Sequence, residues 1–304
     1  MASRVPPRAR DFSLADLGRL DAAALRTLLD PADGGVSPEL LGVALRGCDA
    51  TLVSKVRRAL PRSALAVMDA RASDPVSEEQ VRSARTDVVG QLFWPLLYWC
   101  EPDEYDELIS GERINQRLLD EIDLDARVVC DIGTGTGRFA LPAARHARRV
   151  IAVDLVPQLL RILEKRAREA RLTNIETVRA PFQRLPLADA SVDVAVACSS
   201  FTTHGPHGGA RALAEAERIV RTGGDVVVIW PQNVRWLLDR GFSYIAVHSD
   251  DSMHFRDVPT AERLCARYYS AAAARWVRDH DRADVPYAVL GVTPPSDLCL
   301  KRMK

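Results

Sequence analysis

The chain has 304 residues, of which 47% are hydrophobic and 27% are charged. These proportions are typical of globular proteins, and the length suits about two domains, so composition excludes a disordered or fibrous chain. Lysine plus arginine equals aspartate plus glutamate, at 41 each. No overall charge therefore attracts the chain to nucleic acid, which argues against a nucleic-acid partner.

The six cysteines are scattered, and no two have the Cys-x-x-Cys spacing of a zinc site, so we expect no bound metal. The first twelve residues contain arginine and proline but no following apolar run. This argues against a signal peptide and against a membrane span. We therefore expect a cytoplasmic protein with reduced thiols and no membrane partner.

From residue 14 to residue 92, leucine, valine and alanine recur at helical spacing. Prolines and glycines interrupt this pattern at short intervals, and Ser37 and Ser77 stand where helix N-caps are expected. The pattern predicts several short amphipathic helices and no strand. Residues 1–92 are accordingly predicted to form an all-α domain.

Part of this domain, LLGVALRGCDATLVSKVRRALPRSALAVMDARASDPVSEEQVRSAR, resembles the helical, armadillo-like domains of the flagellar motor-switch protein FliG. The matching features are the helix end at Gly47, the Leu60-Pro61 pair that opens the next helix, and the Pro75-Val76-Ser77 step. The resemblance covers about the first 90 residues. It implies a FliG-like helical module that could bind a protein partner, and it does not imply a rotor function.

From residue 128 onward, short apolar runs rich in β-branched residues alternate with helical segments. This alternation predicts a doubly wound α/β domain with a parallel sheet over residues 93–304. Within it, residues 93–126 are predicted to form a helical lid or linker, and GFSYIAV and LCLKRM to form an antiparallel hairpin at the sheet edge. The predicted parallel strands are 128–130, 150–153, 175–178, 192–197 and 226–230.

The motif VVCDIGTGTGRFA combines a buried strand that ends in Asp131 with a loop that contains Gly133, Gly135 and Gly137. Glycine allows the backbone to approach a ligand closely, and the helix that follows would offer its first N–H groups to a carboxylate. A dinucleotide fingerprint needs a further glycine where this chain has Arg138. The motif therefore favours adenosylmethionine over NAD.

Asp154 ends the next strand, in VIAVDLVPQLL. An acidic residue about 20 positions after a glycine loop is placed to accept hydrogen bonds from the ribose hydroxyls of a nucleotide. The same carboxylate could also cap the following helix. Asp154 is therefore the predicted ribose ligand.

These motifs resemble the class I S-adenosylmethionine-dependent methyltransferases, and VRAPFQRLPLADASVDVAV resembles the adenine-binding region of the UbiE/type 11 group. The resemblance implies a Rossmann-like, seven-stranded mixed sheet and S-adenosyl-L-methionine as cofactor. Where that group has Gly-Asp-Ala, this chain has Ala180-Pro181-Phe182, so the usual acid is absent and Phe182 and Gln183 are expected at the adenine. The expected cofactor-binding residues are Asp131, Gly133, Thr134, Gly135, Gly137, Asp154, Leu155, Phe182, Gln183 and Ser199.

The segment CSSFTTHGPHGG follows the fourth strand, and ligands of open α/β sheets bind at the carboxyl ends of strands. His204 matches a position often occupied by histidine in the resembled group. It is the candidate general base, although a structural or hydrogen-bonding role is the alternative because methyl transfer often needs only alignment. Gly223 and Gly224 are predicted to end the helix before the fifth strand.

The sequence thus predicts in-line methyl transfer to an unidentified small-molecule acceptor. Two alternatives stay open: a non-catalytic protein that binds a nucleotide or a partner through the helical module, and an NAD-dependent Rossmann enzyme. The acceptor cannot be read from the motifs, because acceptor pockets of this fold are built from insertions that vary.

Overall fold

The computed structural model describes residues 12–202, 208–248 and 252–304. Their contacts divide the chain into two compact units, which meet in sequence between Pro102 and Asp103. The predicted domain boundary after residue 92 precedes this division, because helix Phe93–Cys100 packs against other helices of the first unit. The rings of Phe12 and Phe93 illustrate this packing, with centroids 5.6 Å apart.

The first unit is built from short helices, as predicted, and contains no strand among residues 12–102. The expected N-caps are confirmed. The Ser37 hydroxyl accepts a hydrogen bond from the Leu40 N–H at 3.2 Å, and Ser77 forms a reciprocal capping box with Gln80. The α-helices are α1 Ala22–Leu29, α2 Pro38–Ala44, α3 Ala50–Ala59, α4 Arg62–Ala72, α5 Glu78–Gln91 and α6 Phe93–Cys100, with 3₁₀ turns at Leu14–Arg19 and Pro31–Asp33.

The second unit is the predicted doubly wound α/β domain. Helices α7 Pro102–Ile109 and α8 Gln116–Asp120 lead into the sheet. Its strands are β1 Val128–Ile132, β2 Arg149–Asp154, β3 Ile175–Arg179, β4 Val192–Cys198, β5 Val220–Ile229, β6 Ser243–Ala246, β7 Ser252–His254, β8 Asp284–Pro286 and β9 Asp297–Arg302. The remaining helices are α9 Ala140–Ala143, α10 Pro157–Glu169, α11 Gly209–Ile219, α12 Val234–Leu238, α13 Val258–Tyr268, α14 Ala271–His280 and α15 Tyr287–Leu290.

Seven strands form one mixed sheet in the order β3-β2-β1-β4-β5-β9-β6. The strands β1 to β5 are parallel, and β9 runs antiparallel between β5 and β6. The predicted sheet, its parallel strands and the antiparallel pair at its edge are confirmed. Both faces of the central strands are buried, with Ile132 in the core on one face and Val129 in the core on the other. This burial explains why the strands read as continuous apolar runs.

One predicted helix end is wrong. Helix α11 ends at Ile219, and Gly223 and Gly224 lie in a bulge near the start of β5, where the register with β4 shifts. Gly223 has a φ of 76°, which suits glycine, and its N–H donates to the Met303 carbonyl at 2.8 Å. A Cβ on Gly224 would lie 2.4 Å from the Asp193 carbonyl oxygen. The glycines therefore shape the strand, since no helix reaches them.

The chain between β6 and β9 contains more structure than the sequence predicted. This segment contains two helices, α13 and α14, and Ser270 caps the second by accepting from the Ala273 N–H at 3.0 Å. The strands β7 and β8 form a separate two-stranded sheet. Among the described helices, none has the length and apolar character needed to cross a membrane.

Candidate active site at the carboxyl ends of the strands

The glycine loop, residues 133–137, connects β1 to α9 and is fixed by backbone hydrogen bonds. The N–H groups of Gly133 and Thr134 both donate to the Val153 carbonyl, at 2.8 and 3.0 Å, and the Gly137 N–H donates to the Thr134 carbonyl at 2.9 Å. The helix that follows starts only at Ala140 and has four residues. A helix therefore does follow the loop, as the sequence predicted, although it is short.

The three glycines of the loop all have positive φ, at 76°, 55° and 97°, but their surroundings differ. A Cβ on Gly133 would lie 2.5 Å from the Ser200 Cβ, and one on Gly137 would lie 2.4 Å from the Leu163 Cδ1. A Cβ on Gly135 would find its nearest neighbour, the Tyr105 hydroxyl, at 3.6 Å. Protein atoms thus occupy the space beside Gly133 and Gly137, whereas a Cβ at Gly135 would make only ordinary contact with Tyr105.

Asp154 lies at the end of β2 with its carboxylate turned toward this loop. One oxygen accepts a hydrogen bond from the Gly135 N–H and the other from the Val156 N–H, both at 2.9 Å. Burial raises the pKa of Asp154, and the two backbone N–H groups counteract this rise. Because each carboxylate oxygen can accept about two hydrogen bonds, both oxygens retain capacity for a hydroxyl group of a ligand.

Asp131 lies at the end of β1 and is 1% exposed. Its Oδ2 accepts a hydrogen bond from the Thr134 hydroxyl at 2.6 Å, whereas Oδ1 receives none of normal geometry from the residues the structure describes. Burial raises the pKa of Asp131 to about 7, the Thr134 hydroxyl lowers it, and the charge of Asp154 raises it further. Asp131 is thus a buried acceptor that a cationic ligand group would stabilise in its ionised form.

The predicted adenine side of the site follows β3. Phe182 and Gln183 are 9% and 8% exposed, and the Phe182 ring lies beside Gly133, its Cζ 2.7 Å from where a Cβ would stand. The Phe182 and Phe201 ring centroids are 6.0 Å apart. Leu155 is half-buried and directs its carbonyl to the Arg179 side chain at 3.0 Å. The structure therefore brings Phe182 to the glycine loop.

The carboxyl ends of β4 and β5 carry two residues in the left-handed backbone region. Ser199 has a φ of 54° and Trp230 a φ of 53°, and the Ser199 N–H donates to the Ile229 carbonyl at 2.9 Å. The next residue, Ser200, donates its hydroxyl to the Ile132 carbonyl at 2.7 Å and so ties this end of β4 to β1. Strained backbone of this kind is often found at functional sites. The candidate base His204 lies outside the described residues.

Sequence reasoning missed a buried ion pair beside the loop. The Arg138 guanidinium is bonded to the Glu112 carboxylate, and the two side chains are 13% and 3% exposed. Arg138 entered the prediction only as the residue that breaks a dinucleotide motif. No spacing rule links it to Glu112, because the chain between them contains α8 and β1. Tyr105, which was predicted to belong to the lid, lies over Gly135.

Comparison with known proteins agrees with this geometry. Residues 129–224 match the family model described as a methyltransferase domain, a range that includes the glycine loop, Asp154 and the end of β4. A protein of Mycobacterium tuberculosis described as an uncharacterized methyltransferase is 29% identical over 119 residues, which cover 38% of this chain and 46% of the relative. A methyltransferase-like protein of Schizosaccharomyces pombe is 27% identical over 134 residues, which cover 44% of this chain and 48% of the relative.

The chain spans about half the length of these curated relatives. Among solved structures, an S-adenosylmethionine-dependent methyltransferase from Aquifex aeolicus is 20% identical, with a TM-score of 0.40, and the match covers 48% of this chain and 90% of that one. The family match and the strand order of the sheet lead to one identification: the chain contains a methyltransferase domain.

Proposed function

We propose that the whole chain is an S-adenosylmethionine-dependent methyltransferase that acts on a small-molecule acceptor. The observation that carries the proposal is the Asp154 carboxylate, which lies at the end of β2 and is bonded to the N–H of Gly135. Gly135 is the loop glycine at which a Cβ would meet no atom closer than 3.6 Å. A carboxylate bonded to a glycine loop at the end of the second strand is the arrangement that binds a nucleoside in a βαβ unit.

Each predicted residue has a defined task in binding the donor. Asp154 accepts hydrogen bonds from the ribose hydroxyls, and Asp131, with its buried Oδ1, is the acceptor for the donor's ammonium group. Phe182 supplies an apolar surface for the adenine, and Gln183 its polar contact. Leu155 and Ser199 line the same edge of the sheet.

The donor supplies an activated methyl group on a sulfonium, so the protein's own contribution is to position the two reactants and to exclude water. The buried ends of β1 and β2 restrict solvent around the donor, because both aspartates are less than a tenth exposed. The segment after β4 would face the acceptor. His204 stays the proposed base for an acceptor whose oxygen or nitrogen must lose a proton.

The N-terminal helical unit is proposed to recruit the acceptor or a protein partner. All residues assigned to the donor lie after β1 begins, and residues 12–102 form a separate compact unit. Its proposed FliG-like character rests on the sequence resemblance. If the helical unit serves recruitment, its removal at the 102/103 division should leave donor binding intact and reduce acceptor turnover or partner binding.

Calorimetry of the full chain with S-adenosylmethionine tests the proposal. We expect saturable binding of the donor and of S-adenosylhomocysteine, and none of NADH. Asp154→Ala should weaken binding by at least a hundredfold, because two charge-assisted hydrogen bonds of about 1.5–3 kcal/mol each are lost. Asp189→Ala, at a carboxylate that is 80% exposed, is the matched control. A folded Asp154→Ala variant with normal affinity contradicts the assignment.

A further inference from the structure

The Arg138–Glu112 pair does not fit the usual reasons for a buried ion pair. Both side chains are removed from water, at 13% and 3% exposure. Replacing such a pair with apolar side chains of similar volume often leaves a protein equally stable or more stable. Stability therefore does not explain why a guanidinium and a carboxylate meet here, and a role in fixing local geometry remains.

A third side chain encloses the guanidinium. The Cζ of Arg138 lies 5.7 Å from the ring centroid of Trp230, at the end of β5. The Trp230 indole is itself fixed, because its Nε1–H donates to the Thr293 hydroxyl at 3.3 Å and its backbone N–H donates to the Asp297 carbonyl at 2.8 Å. Arg138 thus connects the segment before α8, the glycine loop and β5.

This connection bears on the loop because its glycines impose little conformational restraint of their own. Arg138 directly follows Gly137, and three of the five residues in the loop are glycines with positive φ. The N–H that bonds Asp154 belongs to Gly135, near the centre of the loop. A fixed side chain at the end of such a loop lowers the number of conformations available to that N–H.

We propose that Arg138 is a positioning residue for the methyl donor: paired with Glu112 and lying over the Trp230 ring, it holds the glycine loop in the conformation that binds the donor. This inference rests on the proposed function. The role requires the planar fork of arginine, since the guanidinium contacts a carboxylate and an aromatic ring at once.

The test compares fold stability with donor affinity in the full chain. Arg138→Met alone leaves the Glu112 carboxylate buried without its cation, so we pair it with Glu112→Leu. The double variant Glu112→Leu/Arg138→Met should keep the melting temperature of the wild type and bind S-adenosylmethionine at least tenfold more weakly. A pair that serves stability alone would give wild-type affinity in this double variant, and that result overturns the proposal.

Arg138→Lys provides a second test that depends less on repacking. Lysine keeps the charge beside Glu112 but lacks the fork, so we expect a Kd raised about fivefold. Wild-type affinity in Arg138→Lys also overturns the proposal. Arg149→Met, which breaks an ion pair with Glu176 that is half-exposed on both sides, should leave the affinity unchanged.

Wild-type protein measured in parallel separates this inference from the proposed function. If the wild type does not bind the donor, both the proposed function and the role of Arg138 are wrong. If the wild type binds and both variants bind equally well, only the role of Arg138 fails. Hydrogen exchange of the loop N–H groups without donor gives an independent reading, with faster exchange expected in both variants.

Discussion

The glycine loop and the cap are held in place by different forces; by the cap we mean helices α7 and α13. The loop is fixed by backbone hydrogen bonds to the Val153 carbonyl and to the buried Asp154 carboxylate. In the cap, half-buried and exposed side chains form ion pairs, with Arg263 and Arg267 both bonded to Glu104, at 2.6 and 2.7 Å. Buried backbone bonds resist salt and substitution, whereas ion pairs that solvent reaches are weaker and are screened by salt.

This difference suggests a division of labour. The loop is held mainly by main-chain hydrogen bonds, which most side-chain substitutions leave intact, and the Arg138–Glu112 pair is the side-chain contact proposed to add to them. The cap can exchange its charged residues at small cost in stability, because each ion pair contributes little. Substitutions in the loop should therefore have large effects, and substitutions in the cap small ones.

The largest effect is expected for Gly137→Ala. Its Cβ would lie 2.4 Å from the Leu163 Cδ1, on a backbone with a φ of 97°. Left-handed strain costs about 1–2 kcal/mol and overpacking about 1–3 kcal/mol, so we expect a loss of about 3 kcal/mol in the free energy of unfolding. Denaturant titration measures it.

Gly135→Ala is the control for Gly137→Ala, because the same substitution there meets no atom closer than 3.6 Å. It should cost about 1–2 kcal/mol in stability from the backbone alone and still abolish donor binding. Equal stability losses in the two variants would show that the packing around the two glycines does not differ as described.

A smaller effect, of opposite sign, is expected for Asp131→Asn. Burial raises the pKa of Asp131 from 3.8 to about 7, so the folded state binds a proton more tightly than the unfolded state does. The contribution of this group to stability is complete below pH 3.8 and is lost as the pH rises through about 7. Asparagine removes this loss and can still accept from the Thr134 hydroxyl.

We therefore expect Asp131→Asn to match the wild type near pH 4 and to be more stable by roughly 2 kcal/mol at pH 8. This is about half of the roughly 4 kcal/mol that the raised pKa represents, because burying the asparagine amide has a cost of its own. Thermal unfolding at the two pH values measures the difference. Asp189→Asn, at an exposed carboxylate, should show no such gain. A variant that is equally stable or less stable than the wild type at pH 8 would mean that Asp131 is already ionised in the folded protein at little cost.

The sequence predicted the first four strands of the sheet well, for a physical reason. The strands β1, β2 and β4 are mostly buried, so their apolar runs mark them within about two residues. The glycine loop and Asp154 have fixed spacing because both lie within a single β-α-β unit. In this unit, the local sequence pattern is enough to predict where these residues lie in the structure.

Elsewhere local pattern did not determine the structure. Gly223 and Gly224 would end a helix as well as they form a bulge, and the decision depends on pairing with Met303, far along the chain. The strands β7 and β8 have three residues each, too few for a periodicity to show. Glu112 and Arg138 meet only once the sheet has formed. In each case the missing information is a long-range contact.

The smallest effect is expected in the cap, for Arg263→Met. Arg263 bonds both Glu104 and Glu107 and is 46% exposed, so methionine keeps its apolar stem and removes two ion pairs. Such pairs contribute about 0.2–1 kcal/mol each, so we expect the free energy of unfolding to fall by about 1 kcal/mol at low salt. Most of this loss should disappear in about 0.5 M salt, because salt screens the ion pairs. Arg278→Met, which breaks one exposed pair with Glu262, should lose about half as much. Thermal unfolding at both salt concentrations tests this expectation. A loss that persists at high salt would mean that packing around Arg263, and not its ion pairs, holds the cap. The cap and the loop would then both depend on buried contacts and would differ only in how strong those contacts are.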